Sequence, residues 1–179
     1  DVTVNPVNDA PVLDVIDNQN IDEDTSLALV LSADDIDAGD VLTYSAGVTG
    51  NATVDVSGDQ LTVQPDPNFN GDIQVTVFVS DGELTDSQTF ILTVNPVNDP
   101  PTIDDVVSQE MDEDAVLEVL LFGDDIDVGD TLTFSVDDTD NATVGVDGNI
   151  LTIAPDENYN GPLSITVSVS DGVESDSTS

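Results

Sequence analysis

The chain has 179 residues and carries 39 Asp and Glu with no Lys, Arg, His or Cys. Nothing in it can neutralise phosphate, which excludes nucleic acid as a direct partner and argues against an anionic membrane surface, and disulfides cannot stabilise it. No apolar run approaches the roughly 18 residues of a membrane span. Such acidity favours bound divalent cations, a high-salt setting, or both.

In chain order, the first distinctive stretch is Asn5-Pro6-Val7-Asn8-Asp9-Ala10-Pro11. Proline fixes φ and pushes the preceding residue into an extended conformation, so the segment reads as a stiff hinge rather than helix. Period-2 alternation then marks strands. Val12 to Ile16 follows the hinge, then Leu27, Leu29 and Leu31, then Leu42 and Tyr44. Val54 with Val56, Leu61 with Val63, the run Ile73, Val75, Val77, Val79, and finally Phe90, Leu92, Val94 complete about seven strands. Ser57-Gly58-Asp59, Asn70-Gly71 and Asp81-Gly82 supply the turns between them. The hinge then returns as Asn95-Pro96-Val97-Asn98-Asp99-Pro100-Pro101.

Sliding the sequence by 90 residues aligns it without a gap, with about half of the positions identical. Asp22-Glu23-Asp24 falls on Asp112-Glu113-Asp114, and Asp34-Asp35-Ile36-Asp37 on Asp124-Asp125-Ile126-Asp127. Seven short alternating strands per period predict an all-β fold: tandem Greek-key β-sandwiches of immunoglobulin type. Residues 1–6 match Ile91–Pro96, the last strand of a preceding repeat; residues 7–96 form repeat 1 and 97–179 repeat 2. Nothing after Ser179 matches Phe90–Val94. The sequence therefore reads as a window from a longer array, with an open edge on repeat 2 that residues 1–5 of another copy could fill.

Five acidic patterns recur in register, all in loops or at strand ends: Asp22-Glu23-Asp24, Asp34-Asp35-Ile36-Asp37, Pro65-Asp66, Ser80-Asp81-Gly82 and the hinge Asn-Asp. Calcium takes about six to eight oxygens, more than one pattern offers, so several must converge. Spreading of acids over the whole surface, as in adaptation to high salt, fits less well, because strand surfaces lean on Thr, Ser and Gln. An EF-hand fails on spacing: counting Asp35 as position 1 puts Ala46 where a ligand is needed. Phe69 and Tyr159 read as loop aromatics plugging the sandwich, and the sequons at Asn51 and Asn141 read as turn-to-strand entries.

These residues resemble the cadherin-like repeats of large bacterial surface proteins and adhesins. Asp35-x-Asp37-x-Gly39 and Asp125-x-Asp127-x-Gly129 look like that family's Asp-x-Asp motif, and Asn98-Asp99-Pro100-Pro101 looks like its linker. Asp81 and Asp171 look like its later Asp, and Glu23 like its early Glu; the family's Asp-Arg-Glu is replaced by Asp66-Pro67-Asn68. The resemblance implies one complete calcium site from Glu23, Asp66, Asn98, Asp99, Asp125, Asp127 and Asp171. It implies two half sites, Asn8, Asp9, Asp35, Asp37 and Asp81 upstream and Glu113 and Asp156 downstream, with Asp24, Asp124 and Asp130 as substitutes.

The function so implied is a calcium-rigidified, rod-like segment of a giant extracellular adhesin or surface filament. Its partners would be neighbouring repeats or copies of itself, and a cell-surface glycan or protein. Other readings are a carbohydrate-binding or cell-adhesion module and an acidic spacer for high salt. Catalysis is not expected: only carboxylates could act as acid or base, and no long loops exist to build a cleft.

Overall fold

The structure, a computed structural model, describes residues 1–179 and is all-β. No helix in it is long and apolar enough to cross a membrane. The chain divides into two compact units, Asp1–Val97 and Asn98–Ser179.

In the first unit, residues 1–11 form no strand. The strands that follow are β1 (Val12–Leu13), β2 (Gln19–Asp22), β3 (Leu27–Val30), β4 (Ala33–Asp34), β5 (Thr43–Val48), β6 (Ala52–Ser57), β7 (Gln60–Pro65), β8 (Gly71–Ser80) and β9 (Thr85–Asn95). They form a four-stranded sheet in the order β2-β9-β8-β5, a three-stranded sheet β3-β7-β6, and a short β1-β4 pair. Non-consecutive neighbours, β9 beside β2 and β3 beside β7, give the crossed connections of a Greek-key sandwich.

Alternation builds the interior. Ile73, Val75, Val77 and Val79 on β8 and Phe90, Leu92 and Val94 on β9 turn inward against Leu61 and Val63 of β7, and all are buried. Their intervening neighbours point the other way and are exposed or half-buried; most are polar, with Phe78 and Ile91 as apolar exceptions. The expected strands all form, and two more appear. β2 pairs in parallel with β9, Gln19 opposite Leu92 through Asp22 opposite Asn95. β4 pairs with β1.

The second unit repeats this plan with β10 (Thr102–Ile103), β11 (Leu117–Leu120), β12 (Gly123–Asp124), β13 (Thr133–Val136), β14 (Ala142–Asp147), β15 (Ile150–Pro155), β16 (Val167–Ser170) and β17 (Ser175–Thr178). Its sheet β11-β15-β14 copies β3-β7-β6 strand for strand. The other sheet is reduced to β13-β16-β17. No strand forms over 109–112, which aligns with β2. Beside it lies a groove of about 820 Å³ with a mixed lining, apolar at Met111, Leu117, Leu163, Ile165 and Val167 and polar at Gln109, Glu110, Asp112 and Ser164.

Candidate metal centre

One end of each unit gathers the acids. In the first unit the loop after β4 runs Asp35-Ile36-Asp37-Ala38-Gly39-Asp40. The Asp37 backbone N–H donates to Asp35 Oδ1 at 2.9 Å, winding the loop around its own carboxylate. Gly39 then takes φ of 113°, a conformation that side chains disfavour, and the turn brings Asp40 back. Carboxylate oxygens of Asp35, Asp37 and Asp40 all lie within 4.8 Å of one another.

The hinge and a second loop close on this group. Asp9 N–H donates to Asp37 Oδ2 at 2.7 Å, and the Asn8 amide donates to Asp81 Oδ2 at 2.9 Å. Asp81 Oδ1 accepts the backbone N–H groups of Glu83 and Leu84, both at 2.7 Å. These donors hold the Asp81 carboxyl below its ordinary range, the Leu84 N–H most, then the Asn8 amide and the Glu83 N–H. Asp40 is displaced upward, first by loss of water around its carboxyl and then by repulsion from Asp35, Asp37 and Asp81. The Asp40 residue as a whole stays exposed, which leaves part of that repulsion screened.

The second unit rebuilds the arrangement with the same lengths. Asp99 N–H donates to Asp127 Oδ2 at 2.7 Å, Asp127 N–H to Asp125 Oδ1 at 2.9 Å, and the Asn98 amide to Asp171 Oδ2 at 2.9 Å. Asp125, Asp127 and Asp130 form the three-carboxylate group. Asp171 is held down by the Glu174 N–H, then the Val173 N–H and the Asn98 amide. Asp130 is raised by lost hydration and then by Asp125, Asp127 and Asp171.

Asp35 Oδ2 and Asp125 Oδ2 are shielded from solvent and accept no hydrogen bond. A buried anionic oxygen with no donor is costly, and the chain contains no cationic side chain to supply one. The donor set is all oxygen, the preference of a hard divalent cation. Each group can therefore hold an ion of the calcium type.

Of the residues expected from sequence, Asn8, Asp9, Asp35, Asp37 and Asp81 meet in the first unit. Asn98, Asp99, Asp125, Asp127 and Asp171 meet in the second. Asp40 was not expected; its signal was the glycine that returns the chain, and its aligned partner Asp130 figured only as a substitute. Glu174, at 3.4 Å from the Asn98 amide, was also missed.

Glu23 and Asp66 lie at the opposite end of the first sandwich. Glu23 follows β2 beside Asn95, whereas Asp81 follows β8 at the other end of the ladder, and the ten residues of β8 span about 30 Å. Glu23 is the one buried charged residue, 4% exposed. Its Oε1 accepts the Val97 N–H at 2.6 Å, and its own N–H donates to the Asn95 carbonyl at 2.9 Å. Asp24, at a φ of 59°, accepts the Asn68 N–H at 3.0 Å and ties this loop to that of Asp66. Asp114 and Asn158 repeat that tie at 2.9 Å, next to Glu113 and Asp156. Glu113, unlike Glu23, is exposed.

Comparison with known proteins gives a consistent result. Residues 8–93 and 98–179 each match the model of a family described as Bacterial Ig domain. No curated protein matches the sequence. Among solved structures, PcdhgB3 EC1-4 is similar at 15% identity and a TM-score of 0.56, over 96% of this chain and 48% of that one. Human protocadherin-24 EC1-2 aligns at 15% identity and a TM-score of 0.49, over 97% and 98% of the two chains. An endo-fucoidan hydrolase of glycoside hydrolase family 107 aligns at 22% identity and a TM-score of 0.40; this chain covers 28% of its length, against 94% of its own. At 15% identity, the likeness to PcdhgB3 EC1-4 bears on the fold alone.

Proposed function

Because the chain belongs to the bacterial Ig domain family, in two tandem copies, making it a module of the structural or adhesion type, we propose that it is a calcium-stiffened repeat segment of an extracellular or surface protein. The observation that carries the reading is the buried, donorless oxygen of Asp35 and of Asp125, each inside a group of three carboxylates.

Asp35, Asp37, Asp40 and Asp81 would hold one ion beside Asn8 and Asp9. Asp125, Asp127, Asp130 and Asp171 would hold another beside Asn98 and Asp99. Without metal, carboxylates of one sign crowd each loop and repel. A divalent cation reverses that sign and fastens the hinge residues Asn8-Asp9 and Asn98-Asp99 to the sandwich that follows them. Extracellular calcium modules bind at about 10⁻⁴ to 10⁻³ M, so the segment would be stiff outside a cell and loose inside. Glu23 with Asp66, and Glu113 with Asp156, are proposed as further ligands contributed from the other end of each repeat.

The reading includes no catalytic role. It admits strand addition: Val2 and Val4 have the spacing of Leu92 and Val94, and the groove beside Met111 and Ile165 suits an extended segment with apolar residues at alternate positions.

Melting and small-angle scattering in calcium and in EDTA test the proposal. Calcium should raise the melting temperature and lengthen the particle. Identical melting and dimensions in the two conditions would remove the calcium role and leave an acidic β-rich spacer.

A further inference from the structure

The two repeats differ on one outer face in a way the shared fold does not require. On the β11-β15-β14 sheet, Leu120 stands opposite Ile150, and Ile150 opposite Asp147. Leu120 is 50% exposed, Ile150 41% and Phe122, just past the end of β11, 56%. Phe122 and Leu120 wall a shallow depression of about 220 Å³ with Val107, Asp104 and Asp105. The aligned positions of the first repeat are Val30, Ser32, Gln60 and Asp17. That repeat builds the same three-stranded sheet without the aromatic or the cross-strand apolar pair. This sheet has all its strands in both repeats, so the exposure of Leu120 and Ile150 on its outer face does not arise from the reduced sheet, although the depression shares Val106, Val107, Gln109 and Val119 with the groove described above.

Large apolar side chains grouped on a surface mark interaction sites more often than chance packing does. An aromatic beside two aliphatic residues has the composition of an interface centre. Its border is acidic: Asp104 and Asp105 at the depression, Asp147 across the sheet, and the exposed Glu118 two residues before Leu120 on the same face. A second copy of this chain brings a net charge of −39 and no cation to that border, so like charges would oppose it.

We propose that the Leu120–Phe122–Ile150 face is a docking surface specific to the second repeat, and that its occupant is a protein segment presenting apolar side chains flanked by Lys or Arg. The apolar residues would fill the depression while the cations answer Asp104, Asp105, Glu118 and Asp147. The first repeat, with Ser32 and Gln60 in place, would not bind it.

The test is a titration of the isotope-labelled chain, at about 0.15 M salt where exposed charges more than about 8 Å apart are screened, with an alternating Lys-Leu peptide and with a Lys-Ser peptide of equal charge. Shift changes should centre on Leu120, Phe122 and Ile150 with the first peptide and be absent there with the second. The triple variant Leu120→Val, Phe122→Ser, Ile150→Gln installs residues the first repeat already tolerates. It should keep its melting temperature and weaken Lys-Leu binding at least tenfold. The reverse triple, Val30→Leu, Ser32→Phe, Gln60→Ile, should create a second site. Equal binding of the Lys-Ser peptide, or unchanged affinity in the first triple variant, would overturn the proposal. Self-association that the first triple variant abolishes would also overturn it, by assigning the face to a second copy.

Discussion

The two repeats share about half of their residues, yet one sheet is whole in the first and reduced in the second. β8 runs ten residues and β16 four. The sequence aligned with the first half of β8 still alternates, at Leu163, Ile165 and Val167. What differs is the partner. In the first repeat Gly71–Val75 lies against Phe90–Val94 of β9, and that same segment carries β2 on its other side. In the second repeat neither 161–166 nor 109–112 forms a strand, and no strand pairs with either. Backbone donors and acceptors commit to a strand only where a neighbour receives them. The acidic end behaves in the opposite way: its hydrogen bonds are equally short in both repeats. That end joins local turns by longer-range bonds such as Asn8 to Asp81 and Asn98 to Asp171, none of which involves the far strand.

The two repeats should differ most in their cores. Ile73 is fully buried, whereas its counterpart Leu163 is only partly so. Ile73→Ala should cost about 2–5 kcal/mol and Leu163→Ala only about 1 kcal/mol, because less apolar surface leaves water at Leu163. Hydrogen exchange resolved by repeat measures both. Equal losses would show that the shorter sheet packs as tightly as the longer one.

Calcium should act alike on the two repeats. At a hundredfold excess over the dissociation constant, one bound ion adds about 2.7 kcal/mol. Asp37→Asn and Asp127→Asn should each remove most of one such increment, by similar amounts, in melts at high calcium. A large effect from only one of them would break the equivalence of the two ends.

Appending the sequence Phe-Ile-Leu-Thr-Val-Asn after Ser179 should restore the reduced sheet. A net gain of about 1–2 kcal/mol is expected once the ordering of six residues is offset against apolar burial. Amides over 109–112 and 161–166 should become protected. Pro162, which stands where the first repeat has Asp72, removes one donor. If protection appears only with Pro162→Asp added, proline rather than the absent partner limits the strand.

The smallest expected effect separates repulsion from coordination. Asp40 is raised and Asp81 lowered relative to an ordinary carboxyl. Above the folded-state value of Asp40 its charge opposes folding, and the opposition fades as pH falls through that value. The contribution of Asp81 has the other sign: it is present above the unfolded value and lost as pH falls through the folded one. At neutral pH, Asp40→Asn should therefore raise the melting temperature slightly in EDTA and lower it in calcium. A rise in both conditions would exclude Asp40 from the ion's ligands.

Most of the sandwich was legible because its strands alternate over an apolar interior, as β7 and β8 do. β2 was not. Its sequence Gln19-Asn20-Ile21-Asp22 has one apolar residue, and it is held by β9 rather than by its own pattern. The Asp-x-Asp loops and the hinge Asn-Asp were legible from repetition in register. Asp40 was hidden because its place in the group depends on the backbone turn at Gly39, which spacing alone does not show. The convergence of Asn8 with Asp81, 73 residues apart, was reached through resemblance and not through any local signal.

Calcium at the Asp35 and Asp125 groups is the feature on which the proposed stiffening rests. Isothermal titration of the intact chain with calcium at neutral pH tests it most directly. At least two ions should bind, at about 10⁻⁴ to 10⁻³ M, with one lost in Asp37→Asn and one in Asp127→Asn. Absence of binding, or binding unchanged in the double variant, would contradict it.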